Sequence, residues 1–160
     1  MRPRLLSAAA LLLALTVAAP AARASHYPLE GVSYISEKDR KAFEQIKILD
    51  TMELLDALLT PEARKSVSGK TGIAVDTLLE YVRLCDLLRI RGVGPKMARL
   101  ISLCGVTGTA ALGKEVAAPL LEKMKEKNKV NLVSELLPQV ETVEDWIQQA
   151  RELPVVVKER

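Results

Sequence analysis

The stretch that decides the fold of this chain is Leu88-Arg89-Ile90-Arg91-Gly92-Val93-Gly94-Pro95-Lys96-Met97-Ala98. Gly92 and Gly94 can adopt backbone angles that a β-carbon disfavours, so the chain can reverse its direction within a few residues. Pro95 suits the first position of a helix, where no amide donor is needed and φ is already fixed. Ala98 is small enough for this helix to pack closely against the preceding one. The stretch therefore predicts two helices joined by a tight glycine hairpin.

Apolar residues on both sides of the turn predict a hairpin with a buried inner side. They are Leu84, Leu87, Leu88, Ile90, Val93, Met97, Ala98, Leu100 and Ile101. This pattern resembles a helix-hairpin-helix element, a module that grips nucleic-acid backbones. Its free amides and the start of the second helix would point outward, which is a geometry that holds a phosphate. The alternative is a plain helix–helix turn without a ligand. The candidate phosphate contacts are Arg91, Gly92, Val93, Gly94, Lys96 and Arg99.

The first residues have the order of a secretory signal peptide. Two arginines precede an apolar run over residues 5–19, and small residues lead to a cleavage point after Ala24. The run is short for a membrane span, which needs about 20 residues. We therefore expect residues 1–24 to be removed and the protein to be exported, either to the periplasm or to the medium, with no membrane contact afterwards. An uncleaved membrane anchor is the alternative.

Cleavage would leave a chain without net charge. The full sequence has 23 basic and 20 acidic residues, and the three arginines Arg2, Arg4 and Arg23 lie in the predicted signal peptide. A protein that binds DNA mainly by releasing counterions usually has a basic excess, so this balance weakens a nucleic-acid function. Charge is nevertheless uneven, since residues 135–152 are mainly acidic and basic residues surround the hairpin. The basic stretch either grips phosphate or faces the acidic stretch, within the fold or across a dimer. Its members are Arg83, Arg89, Arg91, Lys96 and Arg99.

Helix-start signals recur along the chain, and no strand alternation of useful length is present. Ser36 and Asp39 resemble a capping box, and Thr60-Pro61-Glu62 combines a cap, a proline and an acid. Thr51 is the predicted cap of a short helix, and Thr142 is that of the last helix. We predict an all-α protein, built as a compact bundle of short helices. Its predicted parts are an extended lead-in at residues 25–35, the helical domain at 36–153 and a frayed tail at 154–160.

Two parts of the chain echo each other at an offset of 57 residues. Leu49-Asp50-Thr51 and the leucines that follow correspond to Val106-Thr107-Gly108 and the pair Ala111 and Leu112. The echo indicates two related helical units joined by the glycine hairpin, although short helices also resemble each other by chance.

A series of motifs runs through residues 36–153: Leu54-Leu55, Thr60-Pro61-Glu62, Lys70-Thr71-Gly72-Ile73, Arg89-Ile90-Arg91-Gly92-Val93-Gly94-Pro95, Gly105-Val106 and Val143-Glu144-Asp145-Trp146-Ile147. The series resembles the uncharacterised family called domain of unknown function 4332. The resemblance implies a small helical fold related to helix-hairpin-helix proteins, and it implies no established activity. Lys96 follows the turn where nucleic-acid-binding relatives also have a lysine, but the chain lacks the overall basic charge of strong DNA binders.

Candidate catalytic and metal-binding groups are scarce. His26 is the single histidine and lies near the predicted new N-terminus, so we expect no metal site, no cofactor and no histidine-based catalysis. The acidic residues fall at helix caps or beside lysines, which is typical of solvated helix faces. Cys85 and Cys104 could pair in an oxidising compartment. Their unequal distances from the turn favour two buried thiols over this disulfide.

Two functions are compatible with these features, and neither is that of an enzyme with a small-molecule substrate. The first is an exported binding or scaffold domain that meets an unidentified protein partner, and the neutral charge slightly favours it. The second is non-specific binding of the DNA backbone outside the cytoplasm through residues 90–96, which the local basic cluster favours. Fold alone does not choose between the two functions.

Overall fold

A computed structural model of the protein describes residues 26–159. This part of the chain is helical and has no strand, only an isolated β-bridge between Pro28 and Asp50, so the predicted all-α class is confirmed there. None of the described helices is long and apolar enough to cross a membrane. The predicted signal peptide lies outside the described residues. The elements are a 3₁₀ turn (Leu29–Gly31), α1 (Glu37–Gln45), α2 (Thr51–Ala57), α3 (Pro61–Thr71), α4 (Val75–Leu87), α5 (Pro95–Leu103), α6 (Thr109–Leu112), α7 (Ala117–Asn131) and α8 (Val140–Glu152).

Local capping signals place the starts of α1 and α3 where the sequence predicts them. The Ser36 hydroxyl accepts a hydrogen bond from the Asp39 amide at 3.1 Å, and the Thr60 hydroxyl accepts one from the Ala63 amide at 3.2 Å. Each bond satisfies one of the amides that the first helical turn leaves without a partner. At the other end of α3, Gly72 adopts a left-handed conformation with φ of 72°. Such a residue is a common helix stop because glycine has no β-carbon to clash.

The cap predicted for α2 is wrong by one residue. Asp50 caps the helix, and its carboxylate accepts hydrogen bonds from the Met52 and Glu53 amides, both at 2.8 Å. Thr51 is instead buried, and its hydroxyl accepts a hydrogen bond from the Tyr27 amide at 3.1 Å. Asp50 is the better cap because one of its carboxylate oxygens accepts hydrogen bonds from two amides. The Thr51 hydroxyl is already engaged with the Tyr27 amide, which belongs to a distant segment of the chain.

One further boundary differs from its predicted position. α8 begins at Val140 behind Gln139, so Thr142 lies inside the helix and caps nothing. Val140 packs against the C-terminal core, and with this contact α8 begins before the predicted cap Thr142.

Two hydrophobic cores lie on either side of α4. The N-terminal core contains Phe43, Leu54, Leu58 and Leu78, each completely buried, and it is built from residues before the hairpin. The C-terminal core joins the end of α4 to α5, α6, α7 and α8. The segment predicted as an extended lead-in contains the 3₁₀ turn and buries three side chains in the N-terminal core. They are Leu29, Val32 and Ile35.

The tail also departs from its prediction, since it packs along the N-terminal half instead of fraying. The Lys158 amide donates to the Leu59 carbonyl at 2.8 Å, and Val157 packs against the N-terminal core. Arg64, which is only 1% exposed, donates to the Lys158 carbonyl at 2.7 Å. These contacts pair residues about a hundred positions apart, so no local pattern could reveal them.

Candidate functional site

The hairpin between α4 and α5 is a compact turn with a buried inner side. The Ile90 amide donates to the Leu87 carbonyl at 3.2 Å, and the Val93 amide donates to the Ile90 carbonyl at 3.1 Å. The side chains of Ile90 and Val93 are completely buried and anchor the turn in the C-terminal core. Pro95 is the first residue of α5, as the sequence predicts.

The two glycines of the hairpin have different roles. Gly92 has φ of 87°, and a β-carbon there would lie 3.1 Å from Nε1 of Trp146, so both its backbone angle and its contact favour glycine. Gly94 has φ of −89°, an ordinary extended conformation, and a β-carbon there would meet the Tyr27 hydroxyl at 3.6 Å. The expectation of an unusual backbone angle is therefore right for Gly92 and wrong for Gly94. A residue that precedes a helix needs an extended backbone, which most residues adopt.

Gln149 of α8 binds the backbone of the hairpin at Arg91, a contact that the sequence did not predict. The Gln149 side chain accepts a hydrogen bond from the Arg91 amide at 3.0 Å and donates to the Arg91 carbonyl at 3.3 Å. It also donates to the Asp145 carboxylate at 2.7 Å, which fixes its orientation. A single glutamine in an amphipathic helix does not indicate by itself that it binds the backbone of a distant turn.

These bonds reduce the set of amides that can serve a phosphate. The amides of Arg91 and Val93 are occupied within the fold, so these two are not among the free amides that could bind a phosphate. The amides of Gly92, Gly94 and Lys96 have no hydrogen-bond partner in the described part of the chain. The backbone donors that remain therefore lie at the outer edge of the turn and at the start of α5.

The basic residues around the hairpin divide into two groups. Arg83 and Arg89 are engaged in internal ion pairs, with Glu159 at 2.7 Å and with Asp86 at 2.6 Å. Arg91, Lys96 and Arg99 have no ion-pair partner within residues 26–159. None of these three residues forms an ion pair with an acidic residue of α8, although that helix packs against the turn. The predicted basic stretch thus contributes three unpaired cations to the surface of the hairpin, and they are Arg91, Lys96 and Arg99.

The start of α5 is unusual in its charge. Its first turn contains no acidic residue, and no side chain caps its free amides. A helix N-terminus carries a partial positive charge, so a cation such as Lys96 in the first turn costs about 0.3–1 kcal/mol in the absence of an anion. The arrangement is therefore electrostatically unfavourable by itself and would improve with a bound anion.

Both cysteines are free thiols in the structure, and each packs against a different core. Burial raises the pKa of the Cys85 thiol to about 12. Burial also raises the pKa of Cys104, which is half-buried. Because the thiolate is the reactive form, neither group is activated as a nucleophile at neutral pH. Within the described residues, no three histidine, cysteine, aspartate or glutamate side chains come together as a metal site.

Comparison with known proteins identifies the family. The model described as Domain of unknown function (DUF4332) matches residues 33–153. The match covers most of the chain, so the protein belongs to this family, as the sequence motifs indicated. No curated protein and no solved structure matches the chain. The family name carries no function.

Proposed function

We propose that this member of an uncharacterised family is a non-catalytic binding domain whose hairpin contacts the phosphates of a nucleic-acid backbone. The observation that carries the proposal is the coincidence of three cations without ion-pair partners with the free backbone amides of the hairpin and of the start of α5. Cations provide long-range attraction, and backbone amides at a helix start provide directed hydrogen bonds to phosphate oxygens. Both kinds of contact are independent of sequence, so the expected binding is non-specific.

The same geometry supports the assignment of α4, the turn and α5 as a helix-hairpin-helix element. Ala98, at 0% exposure, lets α5 approach α4 closely. The two hydrogen bonds between Gln149 and the Arg91 backbone, together with the buried Val93, hold the turn in one conformation. A rigid turn keeps its donors in place before the ligand arrives, which lowers the entropic cost of binding.

We also propose that the domain consists of two related helical units, α1 to α4 and α5 to α8. Lys47 and Gly105 both have positive φ, 62° and 88°, and follow α1 and α5 at equivalent places. Thr51 and Thr109 are both buried polar residues at the starts of α2 and α6. These pairs support an offset of 58 residues (47 to 105, 51 to 109), one more than the echo in the sequence.

Replacing Lys96 by glutamate is expected to weaken binding to a DNA duplex by about 1–2 kcal/mol. The substitution inverts one of the three unpaired charges, and it should also reduce the slope of log affinity against log salt by about one to two. The fold should persist, since Lys96 is exposed and an acid in the first turn suits the helix dipole. Fluorescence polarisation of a labelled duplex at two salt concentrations measures both effects.

Lys65 provides the matched control. It is an exposed lysine in α3, on the other half of the molecule, so Lys65→Glu makes the same charge change away from the hairpin. The control should lose much less affinity than Lys96→Glu. Equal losses would mean that only net charge matters, and absence of salt-dependent binding by the wild type would rule out the nucleic-acid function.

A protein partner is the second candidate function. The neutral charge of residues 25–160 favours it, and so does an apolar cavity of about 180 Å³ between α2, α4 and the tail. Met52 lines this cavity and is 44% exposed. Apolar side chains at the rim of a cavity are typical of an anchor site for a partner side chain. This function becomes the better explanation if the duplex titration fails.

We further propose that the protein is exported and that its mature form begins at Ser25. The support is the sequence order of residues 1–24, in which small residues precede the cleavage point. Sequencing of the N-terminus of protein recovered from outside the cytoplasm is expected to begin at Ser25. An intact species beginning at Met1 and held in the membrane would exclude cleavage.

A further inference from the structure

The indole N–H of Trp146 lies beside the hairpin and has no acceptor within the described part of the protein. Trp146 is 3% exposed, and its Nε1 atom forms no hydrogen bond within residues 26–159. In these residues, the completely enclosed side-chain nitrogen and oxygen atoms without a partner are the Tyr34 hydroxyl and Arg64 Nε. Since Nε1 of Trp146 is not among them, this donor is the part of a buried side chain that reaches the surface.

Gly92 leaves this donor uncovered. A β-carbon at position 92 would lie 3.1 Å from Nε1 of Trp146, so any side chain there would crowd the indole nitrogen. Gly92 itself is exposed, and its amide has no hydrogen-bond partner among the described residues. An indole N–H can donate a hydrogen bond but cannot accept one. The turn therefore offers two kinds of donor at position 92, a backbone amide and an indole N–H.

A second aromatic donor lies at the other glycine of the hairpin. A β-carbon at Gly94 would meet the Tyr27 hydroxyl at 3.6 Å, and this hydroxyl forms no hydrogen bond with another described residue. Tyr27 is held through its backbone, since its amide donates to the Thr51 hydroxyl at 3.1 Å and its carbonyl accepts from the Thr51 amide at 3.0 Å. Each glycine of the hairpin is thus flanked by an aromatic side chain whose donor is unpartnered.

The charges around these donors indicate the kind of acceptor. Arg91, Lys96 and Arg99 form no ion pair within residues 26–159. The nearby acceptors of α8 are engaged, because the Gln149 carbonyl oxygen accepts from the Arg91 amide and the Asp145 carboxylate accepts from Gln149. Water can satisfy a single donor, whereas the several oxygens and the negative charge of a phosphate suit donors and cations that lie together.

We propose that the indole N–H of Trp146 and the hydroxyl of Tyr27 belong to the phosphate site of the hairpin, each donating a hydrogen bond to an oxygen of a nucleic-acid phosphodiester. The inference rests on the proposed function and adds two side-chain donors to its backbone amides and cations. It also gives the two glycines a shared role, because a residue without a β-carbon lets the phosphate approach the aromatic donor beside it. Both donors are fixed by packing or by backbone bonds before the ligand arrives, which lowers the entropic cost of binding.

The single tryptophan of the chain makes a direct test possible, because it gives one indole resonance in a two-dimensional proton–nitrogen spectrum. With a saturating DNA duplex that lacks terminal phosphates, we expect the indole proton to move downfield and to exchange with water roughly tenfold more slowly. At a duplex concentration near the wild-type Kd, Lys96→Glu should show much smaller changes than Lys65→Glu. The measurement leaves Trp146 in place, so it does not disturb the core in which this side chain packs.

Tyr27→Phe removes only the second donor, and it should weaken duplex binding by roughly tenfold in fluorescence polarisation. Tyr81→Phe is the matched control. It removes a phenolic hydroxyl that donates to the Asp39 carboxylate at 2.7 Å in the N-terminal half, so its affinity for the duplex should equal that of the wild type.

The outcomes separate this inference from the proposed function. Salt-dependent duplex binding with an unmoved indole resonance would overturn the inference and leave the proposed function intact, and so would wild-type affinity of Tyr27→Phe. Absence of duplex binding by the wild type would instead reject the proposed function. An indole shift with inorganic phosphate but not with the duplex would indicate a site for free anions and overturn the assignment to a nucleic-acid backbone.

Discussion

Replacing Asp86 by alanine is expected to lower the free energy of unfolding by about 3–5 kcal/mol. Asp86 is 5% exposed, and one of its oxygens accepts hydrogen bonds from both the amide and the hydroxyl of Thr109, each at 2.7 Å. The other oxygen pairs with Arg89 at 2.6 Å. Alanine would leave two buried donors and a poorly exposed cation without their acceptor. Denaturant unfolding followed by circular dichroism measures the loss.

Two control variants separate this network from the general effect of losing an aspartate. Asp56→Ala removes an exposed carboxylate from α2 and should change stability by no more than about 0.5 kcal/mol. Asp86→Asn keeps an acceptor for Thr109 but loses the charge that faces Arg89, so an intermediate loss is expected. A loss below 1 kcal/mol for Asp86→Ala would contradict the role of this carboxylate as the link between α4 and α6.

The backbone near Asp86 is consistent with such a link. Gly108 precedes α6 with φ of 116°, and a β-carbon there would lie 2.9 Å from the Asp86 carboxylate. Any side chain at this position would strain the backbone and press on the buried oxygen. The glycine therefore lets the start of α6 approach α4 closely enough for both Thr109 bonds to form.

Replacing Arg64 by alanine is expected to lower the free energy of unfolding by about 2–4 kcal/mol and to release the tail. The guanidinium is buried and donates to the carbonyls of Leu58 at 2.9 Å and Lys158 at 2.7 Å. It also donates to the Glu159 carbonyl at 3.4 Å. Loss of Arg64 removes two hydrogen bonds to the tail, which then depends on the Lys158–Leu59 backbone bond, on the packing of Val157 and on the partly exposed Arg83–Glu159 ion pair, which contributes little.

The readout for the tail is digestion by a carboxypeptidase, which requires a free C-terminal segment. Arg64→Ala should be trimmed faster than the wild type under native conditions, whereas Lys65→Ala, an exposed neighbour in α3, should not. Arg64→Met retains most of the apolar stem and should recover part of the stability without retaining the tail. Equal trimming of Arg64→Ala and wild type would show that the tail is held by other contacts.

The sequence by itself determined the features that depend on a few neighbouring residues. The all-α class, the caps at Ser36 and Thr60, and the turn at Gly92 all follow from local hydrogen bonding and from φ angles that only certain residues tolerate. Hydrophobic spacing likewise predicted the buried inner side of the hairpin, since helical periodicity is set within one or two turns. The position of the candidate site was therefore predictable.

Only the tertiary structure decided which donors and charges of that site are free. Gln149 occupies the Arg91 amide from 58 residues away, and Arg83 pairs with Glu159 from 76 residues away. The choice of Asp50 over Thr51 as a cap likewise depended on Tyr27, a partner far along the chain. Local patterns record the preference of a residue for a backbone shape, whereas partner choice depends on which surfaces meet after folding. Partners that are many residues apart in the sequence leave no local pattern. Here they were revealed only by the packing of α8 and of the tail.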